Sequence, residues 1–373
     1  MGELYEAGSL VQKDLQRALD LYAQAAKQNH PNAKYHLGKM YEQGKGVPKD
    51  VKKALKLYEE AAQQKDGEAL AALAAIYYVG ELVPLDVPKA INYYNAAAKR
   101  GNAAAMGMMG HFYETGEGSV QRDMNKALAM YAQAAKHGDV TCQYVMGTWY
   151  ESGINVAANY EKAFGYYKQA ALAGESRAQL CVAQMYLNGR GVKADRASAM
   201  KWYNKAAANG SVSAQLALGR LYYSDDLTQP SNKDAFKWFA KAANNGSPTA
   251  QRCLAYCYMC PIGCERNLRE CLYWMERAAN NGDVYAMMEL GQMYSFGDGM
   301  EYVVPIDKAK AVFWCRQAAA NGCLKAYQRL AYDDSSLSDT DREAYLRKAN
   351  TGQDPYPGAG ICRTGANPPI LND

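Results

Sequence analysis

The chain has little histidine: 373 residues hold four, His30, His36, His111 and His137, scattered along its first half. It also contains no H-E-x-x-H pair, no G-x-S-x-G elbow and no G-x-x-x-x-G-K-[ST] loop, so the recognised zinc-hydrolase, serine-hydrolase and nucleotide-phosphate motifs are excluded. Long apolar runs are missing as well. The longest nearly uncharged stretch, Ala69 to Gly80, falls well short of the ~20 residues that span a bilayer. Charge of one sign is lacking too: 42 Lys and Arg stand against 38 Asp and Glu, a net +4. That balance gives no electrostatic footing for nucleic acid or a membrane surface.

Phenylalanine is rare, 6 residues, whereas Tyr reaches 30 and Gly 32. The Tyr are not scattered. Ala33, Ala69, Ala105, Cys142, Ala178, Ala214, Ala250 and Ala286 form one column at steps of 36 or 37 residues, the mark of an internal repeat. Four residues on come Leu37, Leu73, Met109, Met146, Val182, Leu218, Leu254 and Leu290. A small residue follows each: Gly38, Ala74, Gly110, Gly147, Ala183, Gly219, Ala255 or Gly291. A further side chain there would hold a neighbouring helix away. Eight residues after each anchor stands a Tyr, from Tyr41 to Tyr294. This i, i+4, i+8 spacing lines one face of a helix.

A connector such as Gly44-Lys45-Gly46-Val47-Pro48 then supplies positive φ, and Asp50, Asp123 and Asp195 are placed to cap a second helix. That helix carries Ala54, Ala90, Ala127, Ala163, Ala199, Ala235, Cys271 and Ala311, with a large residue four positions later, Tyr58 through Phe239 to Cys315. It closes on an Ala-Ala pair and a stop glycine: Gly67, Gly101, Gly138, Gly174, Gly210, Gly246, Gly282 or Gly322. Each unit is therefore expected to be an antiparallel helix pair.

The pattern predicts an all-α chain: a partial first repeat (1–32), eight full repeats (33–322), capping helices (323–349) and an irregular Pro- and Gly-rich tail (350–373). The first repeat shows only half of its first helix, so the complete protein is expected to extend beyond Met1. The visible N-terminus shows no secretory leader, yet a lost one leaves secretion open.

The motif A-x-x-x-L-G-x-x-Y, then G-x-G-V, then K-A-x-x-W/Y-Y-x-x-A-A with a final Gly closely resembles the Sel1-like repeat, a relative of the tetratricopeptide repeat. The resemblance covers residues 1 to about 331. It implies an α-α superhelix, or solenoid, whose concave groove serves as a non-catalytic protein-protein interaction scaffold. Cys-rich secreted relatives, to which β-lactamase activity has been attributed, carry a regular Cys pair in every repeat. This chain has none, and that activity is not carried over.

Two features could be read as chemistry. Trp202, Trp238, Trp274 and Trp314 share a column that holds Leu21, Leu57 and Met130 in earlier repeats, which favours space filling over a ligand. Cys253, Cys257, Cys260, Cys264 and Cys271 crowd into the seventh repeat. Reduced core thiols are the favoured reading; a disulfide, or a zinc ion on Cys257, Cys260, Cys264 and Cys271, is the alternative and would make this a metal-dependent or enzymatic module. Ten Cys without a repeated pairing scheme favour a reducing compartment. No cofactor is expected.

Transferring the groove positions of tetratricopeptide-like arrays by helical phase selects Tyr35, Lys39, Glu42, Glu68, Tyr78, His111, Glu114, Tyr144 and Glu151 in the early repeats. The later repeats contribute Arg177, Gln184, Arg220, Tyr223, Arg252, Tyr256, Met259, Tyr285, Met288 and Gln292. Arg and Tyr anchor interfaces by joining apolar area to directional donors, so this second set is expected to receive a protein or peptide segment with acidic character. The tail from Gln353 is a rival, internal occupant.

Overall fold

A computed structural model describes residues 1–223, 231–296 and 304–350. The tail beyond Asn350, including Cys362 and the proposed internal ligand, lies outside the described residues. Among them every regular element is a helix, and none is long and apolar enough to cross a membrane.

The chain divides into two compact units, residues 1–178 with 188–194, and 179–187 with 195–373. The first contains α1 (Gly2–Ala7), α2 (Leu15–Lys27), α3 (Pro31–Gln43), α4 (Val51–Gln63), α5 (Gly67–Val79), α6 (Val87–Ala98), α7 (Ala103–Thr115), α8 (Met124–Lys136), α9 (Val140–Ser152) and α10 (Tyr160–Leu172). α11 (Ser176–Asn188) begins and ends in the first unit, and its middle belongs to the second. The second unit continues with α12 (Arg196–Ala208), α13 (Val212–Tyr223), α14 (Asn232–Asn244), α15 (Pro248–Met259), α16 (Leu268–Asn280), α17 (Val284–Phe296), α18 (Lys308–Ala320), α19 (Leu324–Asp333) and α20 (Asp339–Ala349). Helices pack as the repeat predicts, α3 on α4, α7 on α8, α15 on α16, α17 on α18, and within each unit one pair meets another, α4 on α5 and α16 on α17. The result is a solenoid of helix pairs.

The anchor and Leu columns are buried throughout. The small column is small because the second helix's large residue lies against it: a Cβ on Gly147 would come within 2.5 Å of the Tyr167 ring, and one on Gly219 within 2.5 Å of Phe239. Connectors obey the same steric logic. Gly263 takes φ 72° and sits where a Cβ would overlap the Asn232 carbonyl.

Asp50, Asp123 and Asp195 cap α4, α8 and α12, accepting from Lys53 N at 3.0 Å, Lys126 N at 3.0 Å and Ser198 N at 3.1 Å. One expectation needs correcting. Gly67 does not stop α4; it opens α5, and the left-handed position falls to Lys65 with φ 64°. Lys65 follows Ala62 by three residues, as Gly101 follows Ala98, so the turn keeps its place in the repeat and lies two residues before Gly67.

The first-helix Tyr column is also less buried than its spacing implies. Tyr41, Tyr77 and Tyr150 lie at the edge of the seam, half-exposed. Their carbonyls accept from the capping residue of the next helix, Asp50 N to Tyr41 O at 2.9 Å. The ammonium groups of Lys53, Lys89 and Lys162 sit 4.1, 3.9 and 5.1 Å from the three ring centroids. The column thus fixes where the second helix starts, through cation-π contact and a main-chain bond together.

Candidate partner-binding site

In the second unit α11, α12 and α13 enclose an open cavity of about 500 Å³. Its floor is Leu187, Leu216 and Leu221, and the side chains of Arg196, Arg220 and Gln184 reach it. Arg196 Nη2 donates to the Leu221 carbonyl at 2.8 Å, which fixes that guanidinium beside the apolar floor. Gln184 is exposed, while Arg220 and Tyr223 are half-buried. The helical phase therefore brings Gln184 and Arg220 together, and adds Arg196, which the phase did not select because it lies on a second helix.

Arg177 belongs to the first unit. Its Nε lies 2.7 Å from Glu175 Oε1 and its guanidinium carbon 4.5 Å from the Tyr144 ring centroid.

Further along, the groove expectation fails for three residues. Arg252, Tyr256 and Met288 are buried, at 2%, 0% and 2% exposure. Arg252 Nε reaches both carboxylate oxygens of Asp283 at 3.0 Å, and its guanidinium carbon lies 4.7 Å from the Tyr285 ring centroid. Tyr256 OH bonds Glu289 Oε1 at 3.1 Å. Burial pushes the Glu289 carboxyl up to about 7, against the opposing pull of the Tyr256 bond and the Arg252 charge. Asp283 also caps α17, accepting from Ala286 N at 2.8 Å. These side chains hold α15 to α17. Tyr285, Met259 and Gln292 are half-buried.

Sequence reasoning missed Glu289, although a signal existed. Its column three after the anchor otherwise holds His36, Ala72, Met108, Val145, Cys181, Ala217 and Cys253. A lone carboxylate among such residues marks a buried polar contact.

The first unit presents the opposite charge. Tyr58 OH donates to Glu42 at 2.6 Å, Tyr131 to Glu114 at 2.7 Å and Tyr167 to Glu151 at 2.7 Å, with Tyr22 on Glu6 at 2.9 Å. α2, α4, α8 and α10 thus each orient a glutamate of the helix paired with them; α6, whose Tyr94 faces Tyr78 instead, does not. The spacing, a Glu followed 16 or 17 residues later by a Tyr, is present in the sequence, but the bond depends on the packing of the two helices.

A second polar ladder runs inside. Asn209, Asn245 and Asn281 donate to Gln179, Gln215 and Gln251 at 3.0, 2.9 and 2.9 Å, and Gln215 and Gln251 donate onward to the carbonyls of Ala207 and Ala243. These bonds satisfy the buried glutamine amides and give a second donor to helix-end carbonyls that already accept from Gly210 N and Gly246 N.

Cys257, Cys264 and Cys271 of the seventh repeat are thiols outside any disulfide. Cys257 and Cys271 are buried, and burial raises both, Cys271 to about 12. Cys264 Sγ donates to the Cys257 carbonyl at 3.3 Å. Among the described residues no group of three or more His, Cys, Asp or Glu is arranged to hold a metal ion, so Cys257, Cys260, Cys264 and Cys271 do not come together as a ligand set. Of the Trp column, Trp274 and Trp314 are buried; Trp202 and Trp238 are half-buried under Lys205 and Lys241 at 4.4 and 5.1 Å.

Fold and repeat together define a helical-repeat solenoid. The Sel1 repeat model matches nine consecutive segments, 1–30, 31–66, 67–102, 103–139, 140–175, 176–211, 212–247, 248–283 and 284–323, and the chain belongs to the Sel1 repeat family. Proteins of this class generally act as protein-protein interaction scaffolds. A protective antigen present in uropathogenic Escherichia coli strains, displaying an SLR fold, is 26% identical, covering 93% of this chain and 81% of its own, with TM-score 0.55. A Sel1 repeat protein from Oxalobacter formigenes is 29% identical, covering 78% of this chain and 84% of its own, with TM-score 0.54. No curated protein matches the sequence.

Proposed function

We propose that the chain is a non-catalytic scaffold that receives an acidic partner segment at the α11–α13 cavity of its second unit. What carries the reading is the meeting of Arg196 and Arg220 on one apolar-floored cavity. A guanidinium offers a planar fork matched to a carboxylate, and apolar surface around it strengthens the pairing. Gln184 and Tyr223 extend the contact along the same helices.

The test is titration of a labelled peptide alternating Glu and Leu against the intact chain and against Arg220→Glu, with circular dichroism confirming equal helicity. The wild type should bind saturably and the variant at least about tenfold more weakly, a loss of ~1.4 kcal/mol or more. Equal binding by both, or none by the wild type, sinks the reading. Arg252→Glu is unsuitable for this purpose, since it would break the internal pair with Asp283.

A further inference from the structure

The first unit contains a second cavity, about 300 Å³, between α3 and α5. Its floor is apolar: Ala72, Ala75 and Ile76 from α5 and Leu82 from the following connector. Tyr35, Lys39 and Glu42 of α3 and Glu81 stand around it. The space suits one or two side chains rather than a folded element.

Its chemistry is directional. Glu42 is fixed by the 2.6 Å bond from the buried Tyr58 hydroxyl. A carboxylate accepts several donors at once, so one bond orients Glu42 without exhausting it. The surrounding field is negative: Glu68, Asp66, Glu42 and Glu6 all act on the Tyr35 hydroxyl, which burial first and these carboxylates second raise above its ordinary value. Against them the cavity wall has one cation, Lys39, whose ammonium lies 5.9 Å from the Tyr35 ring centroid.

The geometry points to a docking site for a basic peptide segment, one lysine or arginine side chain laying its aliphatic stem on Ala72 and Ala75 and its charged head at Glu42. Long basic side chains divide themselves in this way between apolar surface and a polar end. A neutral apolar side chain would leave the oriented carboxylate unpaired, and an acidic one would meet it with like charge. Charge complementarity therefore selects the occupant. The site is independent of the acidic-segment reading of the second unit, and it adds a partner surface of opposite sign.

Fluorescence anisotropy of a labelled ten-residue Ala, Leu and Lys peptide with the full chain tests this. Saturable one-to-one binding is expected, weakened at least about tenfold by Glu42→Gln and by the cavity-filling Ala75→Phe. It should be lost when norleucine replaces the peptide's lysines. Glu161→Gln, which neutralises an exposed carboxylate of α10, should leave it unchanged. Should Ala75→Phe fail to fold, Glu42→Gln decides alone. Equal weakening by Glu42→Gln and Glu161→Gln would reduce the attraction to diffuse charge and overturn the proposal. Tight binding of the norleucine peptide, or no saturable binding, would overturn it too.

Discussion

Glu289 is a carboxyl whose chemistry departs from its type. Its carboxyl is buried beside Tyr256, Arg252 and Cys271, and burial lifts it from an ordinary 4.5 to about 7. Below 4.5 both folded and unfolded chains hold the proton. Between 4.5 and 7 the unfolded chain ionises while the folded one does not, so this residue's contribution to stability falls as pH rises through that window and is level above it. Glu289→Gln stays neutral throughout. Urea melts at pH 5 and pH 7.5 should show the wild type losing on the order of a few kcal/mol relative to the variant across the window; parallel profiles would mean that Glu289 is ionised in the fold. Arg252 carries the matching burden. Arg252→Ala strands Asp283 in the interior and should cost about 3 to 5 kcal/mol, read as a lower urea midpoint.

At the scale of helices, the small column decides how closely a pair can approach. Gly147→Ala gains up to about 1 kcal/mol of helix propensity. It also places a methyl within 2.5 Å of the buried Tyr167 ring, and overpacking of that kind costs about 1 to 3 kcal/mol. A net lower midpoint is expected, with Gly147→Ala in a Tyr167→Leu background recovering the loss. If Gly147→Ala alone raises the midpoint, the seam between α9 and α10 has room that the fold does not show. Caps work at the same scale and were legible in advance, because a cap bonds the amide three residues along its own chain. The Tyr–Glu bonds were legible only in part, since they require two helices to have already packed.

Over the whole chain, energy is shared between neighbours. Within each unit helices pack on their sequence neighbours, α3 on α4 and α4 on α5 in the first, α14 on α15, α15 on α16 and α16 on α17 in the second. Such arrays behave as a sum of repeat and nearest-neighbour terms. Destabilisation by Arg252→Ala should therefore raise amide exchange in α14 to α18 and leave α3 to α8 at wild-type protection. Uniform loss across both sets would show a single cooperative block instead.

Periodicity by itself determined the helix pairs, their caps, the closely packed small column and the Sel1 repeat architecture, because each depends on spacing within about forty residues and on steric size. Tertiary structure alone decided which groove-phase side chains reach solvent. Gln184 and Arg252 both fall in the groove phase of their helices, six residues after Ala178 and two after Ala250, yet the first is exposed and the second is 2% exposed. The difference is Asp283 and Tyr285, supplied by the next repeat; burial is set by neighbours about thirty residues away, and a column read along one helix does not contain them.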